Sequence, residues 1–304
     1  MYDHNTSPTP TPQPNPSFQP GCDKTSTKIN IEQNYETNKN KKNKNLDLKI
    51  GTLNERTLKS SENLKALEEA MVEAQLDILG ISEVRRNGEK IYQTKNNSIF
   101  FHKGNNLGQR GVGFLISPKL KNNIIEIKGI SDRIATLKLK IQNNHLTLVQ
   151  VYAPTTTSTE EDVENFYELL GETLQETNQK NKDKTKIIIL GDFNSQIGKS
   201  KPEEKHLIGT YNFGKRNMRG EKLIQFCQEL DLKIVNGFFK KKRRWTWISP
   251  NQVHKNQIDF VLTPRKNNNI LNFEVSNRFK FVSDLIIDRL IFIVLRLSKV
   301  YYLL

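Results

Sequence analysis

The stretch KIIILGDFN, Lys186 to Asn194, sets an unbroken apolar run against an abrupt polar stop. Ile187 to Leu190 show no alternation and are followed at once by turn residues, which predicts a strand buried on both faces. Such a strand needs neighbours on both edges and a packed layer above and below it. The stop is as informative as the run. Asp192 stands where a carboxylate is costly unless something there uses it.

The rest of the chain offers those neighbours. LDLKIGTLN (46–54) alternates through Leu46, Leu48 and Ile50 as a half-buried strand does. SSENLKALEEAMVEAQ (60–75) opens on a Ser N-cap candidate and carries Leu64, Leu67, Met71 and Ala74 in a helical stripe. LDILGISE (76–83), GVGFLIS (111–117), IATLKLKI (134–141) and LTLVQVYAP (146–154) read as further strands. The segment 159–180 reads as a long helix whose first turn is acidic, which suits the helix dipole. RGEKLIQFCQELDL (219–232) is a second amphipathic helix, with Leu223, Ile224, Phe226, Cys227 and Leu230 turned inward. LKIVNGFF (232–239), RWTWIS (244–249) and QIDFVLT (257–263) complete the set of strands. Strands and helices mix within one unit and no internal repeat is present, so the class is α/β with many antiparallel pairs.

The flanks differ. Residues 1–45 are rich in Pro, Thr, Asn and Lys and have little to bury, so they are expected to be a disordered tail. The folded unit is expected over 46–297, with a short tail at 298–304. The two cysteines, Cys22 and Cys227, stand in unlike settings and suggest no disulfide framework. The N-terminus has no apolar core of the signal-peptide kind. The most apolar stretch, Leu285 to Leu304, is broken by Asp288, Arg289, Arg296 and Lys299, and reads as buried strand and tail rather than a membrane span. An intracellular location is expected, the nucleus included, with no membrane partner. The net charge of +14 suits a polyanion, and equally suits plain solubility.

Polar residues collect at the strand ends: Asn54, Glu83, Tyr152, Asp192, Asn194 and Asp259. Each alone has an ordinary reading. Asn54 is a turn former, Glu83 a surface acid, Asp192 an Asx-turn residue in good turn chemistry and Asp259 a ladder residue on an exposed face. Together, carboxylates and amides suit a hard cation that binds oxygen ligands and substrate phosphate. Zinc spacing, a P-loop and a dinucleotide fingerprint are all missing.

At these residues the chain resembles the endonuclease/exonuclease/phosphatase superfamily, and more closely the apurinic-type endonuclease domain of non-LTR retrotransposons and the craniofacial development protein 2-like proteins. The matching stretches, in the family's order, are LKIGTLNERTL, LDILGISEVRR, GVGFLIS, RIATLKLKI, LVQVYAPT, IIILGDFNSQIG, GKRNMRGEKLIQFCQELDLKIVNGFF and WTWISPNQVHKNQIDFVL, across roughly residues 46–297. The resemblance implies a four-layer α/β sandwich, two packed mixed β-sheets flanked by helices. It implies Mg²⁺, with Mn²⁺ as a substitute, on Glu83 assisted by Asn54. It implies that Asp192 positions or deprotonates the attacking water, that Asn194 orients the phosphate or that water, and that Tyr152 contacts the scissile phosphate.

The family's closing motif is Ser-Asp-His, and an earlier Asp, here matching Asp259, holds its His. The counterpart here lies in FVSDLIIDRLIFIV (281–294). One alignment keeps Ser283 and Asp284 and puts Leu285 at the His position; another keeps Arg289 and Leu290 and puts Asp288 there. Neither supplies an imidazole, and the last histidine of the chain is His254. A weak or inactive nuclease is therefore expected, with Asp284 retained in the catalytic set.

Lys240, Lys241, Lys242, Arg243 and Arg244 form an unbroken cationic run, followed by Trp245 and Trp247. Such a run can grip DNA phosphates while an aromatic stacks or wedges, and it also fits a nuclear import signal. At least one of the two tryptophans is expected in the core. No reverse transcriptase sequence follows within the chain, so any partner of that kind would be a separate polypeptide, or the sequence is a fragment of a longer one. Two competing readings are a non-catalytic nucleic-acid-binding or chromatin-associated protein, and an enzyme for a phosphoinositide or nucleotide phosphoester.

Overall fold

Apolar residues at every second position commit one face of a strand to an interior, and the unbroken run at 187–190 commits both. The computed structural model describes residues 46–55, 58–105, 107–180, 185–249, 251–276 and 290–297. The first sheet comprises β1 (Leu46–Asn54), β2 (Ile78–Ser82), β3 (Glu89–Gln93), β4 (Ile99–Lys103), β5 (Val112–Ile116), β14 (Ile270–Ser276) and β15 (Leu290–Leu297), in the order β14-β15-β1-β2-β5-β4-β3. The second comprises β6 (Ile124–Gly129), β7 (Ile134–Ile141), β8 (Asn144–Tyr152), β9 (Thr185–Asp192), β10 (Leu232–Ile234) and β13 (Asp259–Pro264), in the order β10-β13-β9-β8-β7-β6. A two-residue ribbon, β11 (Trp247–Ile248) and β12 (Lys255–Asn256), stands apart.

Between the sheets lies one apolar cluster that includes Leu48, Ile50, Phe114, Leu137, Leu148, Ile188, Leu190 and Phe273. Ile187 and Ile189 point the other way, into a second cluster shared with helices α2 (Glu160–Lys180) and α4 (Met218–Glu229). β9 is thus buried on both faces. A third cluster seats Leu64, Leu67 and Met71 of α1 (Ser61–Glu73) on Leu79, Ile81, Phe100 and Leu115. The layer order is helix, sheet, sheet, helices, as the resemblance implied. Burial of each such side chain contributes about 1.5–3 kcal/mol.

Local signals start the helices where the sequence places them. Ser60 Oγ accepts from Asn63 N at 3.1 Å, which caps α1. Thr159 and Asp162 close a reciprocal cap at the start of α2. Asn217 Oδ1 caps α4 through Gly220 N at 2.8 Å and takes Gln196 N at 3.1 Å. A short helix, α3 (Lys205–Ile208), ends at Gly209, whose φ of 71° favours glycine.

Some elements depart from expectation. LKIVNGFF is a strand only through Ile234; Val235 to Phe238 then form a 3₁₀ turn in which buried Asn236 binds Asp259 O and Val261 N, both at 3.0 Å. Of RWTWIS, only Trp247–Ile248 is strand. Strands β3, β4, β6 and β14 were not read from the sequence. The tails at 1–45 and 298–304, with Asp284 and Asp288, lie outside the described residues. Among the described residues no helix is long and apolar enough to cross a membrane.

One pair in each sheet is parallel, β1 with β2 and β8 with β9. Asn54 stands opposite Ser82, and Tyr152 opposite Asp192. Within each pair both strands finish at the same end, and the hydrogen bond from Asn54 to Asp192 brings the two ends together. β1 is flanked on its other side by β15, with Asp47 opposite Arg296 in the register.

His102 on β4 is a polar exception in the outer packing. It is buried, its ring lies 5.7 Å from that of Phe100, and its Nδ1 has no hydrogen-bond partner. Burial, then the positive charges of Arg86 and Lys90, push its pKa down to about 4. A depressed histidine pKa means that the unfolded chain takes up the proton first. Its stabilising contribution is complete above pH ~6.5 and is lost as pH falls toward 4. His102→Gln is expected to show a smaller fall in melting temperature between pH 7 and pH 5 than the wild type, read by circular dichroism.

Candidate functional site

The two parallel pairs deliver their C-terminal residues to one place. Asn54 closes β1, Glu83 follows β2, Tyr152 closes β8 and Asp192 closes β9. Asp259 begins the antiparallel β13 and pairs in register with Asp192. All five are buried. They arrive on separate strands from opposite sheets, so their approach is a product of sheet packing.

Asn54 joins the halves. Its Nδ2 donates to Glu83 Oε1 at 3.1 Å and to Asp192 Oδ2 at 2.9 Å. Its buried Oδ1 has no hydrogen-bond partner. Asp192 Oδ1 accepts Asn194 N at 2.8 Å, and Asn194 Nδ2 donates to Ala153 O at 2.8 Å. Glu83 and Asn194 both hold positive φ, 55° and 47°, a cost that recurs at functional sites. Gly191 is obligatory, since a Cβ there would lie 2.0 Å from Val151 O.

Tyr152 is held as a donor. Burial raises its pKa, and the charges of Glu83 and Asp192 raise it further, so the phenol keeps its proton. Arg133 lies over its ring at 5.4 Å. At Asp259, Thr246 Oγ1 accepts the backbone N–H at 3.2 Å and that of Ile258 at 3.0 Å.

Two supports escaped the sequence reading. Arg85 Nη2 pairs with Glu83 Oε2 at 2.7 Å. The only signal was a cation two residues beyond the strand-end acid. Gln150, fully buried on β8, bonds Thr52 Oγ1 and Ser82 Oγ of the facing sheet at 3.0 and 2.9 Å. Ser82 Oγ in turn donates to Val151 O at 3.0 Å. Gly80 leaves the room, because a Cβ there would lie 1.9 Å from Gln150 Oε1.

The basic run meets the site through Thr246. Thr246 lies just before β11 and is buried, held by its backbone bond to Asn256 O, while both Trp245 and Trp247 are only half-buried, so neither is the core residue expected. Lys240, Lys241, Lys242, Arg243 and Trp245 line an open groove of about 810 Å³ against the end of α1 and β14–β15. Arg244 instead packs over the Tyr211 ring at 5.8 Å and donates to Lys241 O at 3.1 Å.

Among the described residues, no cluster of three or more His, Cys, Asp or Glu side chains is arranged to hold a metal. The donor set fits a less demanding ion. One carboxylate and an unpaired buried amide oxygen suit Mg²⁺, which binds through one or two protein oxygens and completes its shell with water and phosphate.

Comparison with known proteins bears on the family and the fold. Residues 146–284 match the family model described as endonuclease-reverse transcriptase. Craniofacial development protein 2 of Bos taurus is 31% identical over 215 residues, covering 70% of this chain and 35% of its own. The chain thus spans about a third of the curated relatives it matches. The endonuclease domain of TRAS1, a telomere-specific non-LTR retrotransposon, superposes with a TM-score of 0.56 at 14% identity, over 84% of this chain and 100% of that one. The 3′ phosphatase NExo from Neisseria, bound to product DNA hairpin, superposes with a TM-score of 0.58 at 13% identity, over 81% and 98%.

Gln150→Leu keeps the volume but leaves Thr52 and part of Ser82 without a buried partner. It is expected to cost about 1–3 kcal/mol in urea unfolding. It should also part Asn54 from Asp192, which a crystal structure of the variant would show.

Proposed function

The chain belongs to the endonuclease/exonuclease/phosphatase superfamily, and from that membership we propose that it is a metal-dependent phosphodiesterase of the DNA-endonuclease type, slowed or silenced by the missing imidazole. The observation that carries this reading is the Asn54 amide bound to both Glu83 and Asp192, which sets a metal-binding acid beside a basic one at the mouth of both sheets.

Glu83 and Asn54 would hold Mg²⁺, which when bound neutralises charge developing on the phosphate. Asp192 would take the proton of the attacking water. Asn194 donates one amide N–H to Ala153 O, which leaves its second N–H for a phosphate oxygen and its carboxamide oxygen for a water hydrogen. Tyr152, kept protonated, would donate to the phosphate. The groove beside Lys240–Arg243 and Trp245 supports DNA as the substrate, as do the names of the two structural neighbours. A separate reverse transcriptase as partner rests on the description of the matching family alone.

The sequence of 281–294 has no histidine to stabilise the pentavalent phosphorane, and losing one such donor costs about 10²–10³-fold in rate. Supercoiled plasmid nicking by the full chain in Mg²⁺ tests both parts. Slow nicking is expected, abolished by Glu83→Gln or Asp192→Ala, and raised by orders of magnitude by Leu285→His or Asp288→His. Mg²⁺ should raise the melting temperature of the wild type and leave that of Glu83→Gln unmoved. Brisk wild-type nicking that depends on Glu83 would remove the slow-site clause. No nicking by any variant, with DNA binding intact, would favour the non-catalytic reading.

A further inference from the structure

Three arginines gather at the mouth of the sheets on loops that the roles above leave largely unassigned. Arg85 follows β2, Arg110 lies between β4 and β5, and Arg133 lies between β6 and β7. Arg85 N bonds Arg110 O at 3.1 Å, which holds the first two loops together. Arg85 is committed to Glu83. The other two are not committed in this way.

Among the described residues, Arg110 has one ion pair, Nη1 to Asp132 Oδ2 at 3.8 Å, near the outer limit for such a contact. Among the described residues, Arg133 has no ion pair. Its Nη1 donates to Tyr152 O at 3.1 Å and its guanidinium lies over the Tyr152 ring. Held by a backbone carbonyl and a ring, the remaining N–H groups form a fork fixed in place without a carboxylate across it. Burial, then the charge of Arg110, lower the Arg133 pKa, and Asp132 and Asp162 do not outweigh them. The fold therefore holds two like charges together at a cost that an anion would relieve. A planar guanidinium preorganised this way matches phosphate oxygens.

Strand order places the pair. The Lys240–Arg243 groove borders β14 and β15 on one flank of β1 and β2. Arg110 and Arg133 sit beyond the other flank, on the loops of β4–β5 and β6–β7. Glu83 and Asp192 lie between the two cationic groups. We propose that Arg110 and Arg133 form a second phosphate subsite that grips the sugar-phosphate backbone of duplex DNA on the side of the carboxylates away from Lys240–Arg243. This rests on the DNA reading above and adds a direction to it: the duplex crosses the ends of both sheets.

The test is fluorescence anisotropy of the full chain with a labelled duplex oligonucleotide in EDTA, titrated across salt. Arg110→Gln/Arg133→Gln is expected to bind about tenfold more weakly, with a log K against log salt slope shallower by about two. Lys121→Gln/Lys140→Gln, at the opposite end of the sheets, removes the same charge and should match the wild type. Arg110→Gln alone, on a half-exposed side chain, should lose about one unit of slope if the double variant proves unstable. Arg133→Lys should recover slope but only part of the affinity. Arginine variants that match the Lys121/Lys140 control, while Lys241→Gln/Lys242→Gln weakens binding, would overturn the second subsite alone. A wild-type chain without salt-dependent duplex binding would overturn the DNA reading itself.

Discussion

Two sheets in apolar contact resist separation more than sliding, because hydrophobic attraction has no direction. Gln150 supplies the direction. From one sheet it reaches Thr52 and Ser82 of the other, one turn of pleat below Asn54 and Glu83. Its amide is fully buried, so any shift that breaks those bonds leaves polar groups unmet in a dry interior. The site needs that constraint, since its residues come from both sheets and meet at hydrogen-bond distance. An ångström of slip would part Asn54 from Asp192.

Asn54 is a neutral group where a cation would seem natural. Its two N–H bonds hold Glu83 and Asp192 close without cancelling their charge. Arg85 offsets Glu83 from the side, and Asp259 adds a further carboxylate in register with Asp192. An arrangement with a lysine between the acids would be more stable and less receptive. The amide keeps the geometry of an ion pair and leaves the electrostatic demand for a positive partner in place. Cationic loops on both flanks belong to the same balance, acidic at the centre and basic at the rim.

The sequence made much of this legible, for local reasons. KIIILGDFN carries its burial and its stop in adjacent residues, and β9 is buried on both faces as read. Ser60 caps α1 as its position before an apolar stripe suggested. The strand-end residues Asn54, Glu83, Tyr152 and Asp192 do converge, because parallel pairing aligns strand ends. What was illegible depends on partners distant in sequence. Gln150 reads as an ordinary outward polar position until the facing sheet arrives. β3 is an exposed edge strand with no apolar period to detect. LKIVNGFF has the composition of a strand, yet Asn236 finds better bonds on β13 by turning. Trp245 and Trp247 were expected to give at least one core residue, while the inward place went to Thr246, whose hydroxyl meets the backbone of Ile258 and Asp259.

The pairing of β1 with β15 has a consequence for how the chain reaches this state. The strand that carries Asn54 lies between β2 and a strand from the far end of the sequence, tied further by the fork of Arg296 on Asp47 at 2.9 and 2.8 Å. A ribosome releases β1 long before it makes β15. Until then one side of β1 is an open row of N–H and C=O groups, a template for wrong pairing. Closure across so long a loop is slow, because entropy must be given up before contacts reward it. The emerging chain would therefore leave that side of the strand carrying Asn54 unpaired until β15 is made, and would need protection from aggregation until then.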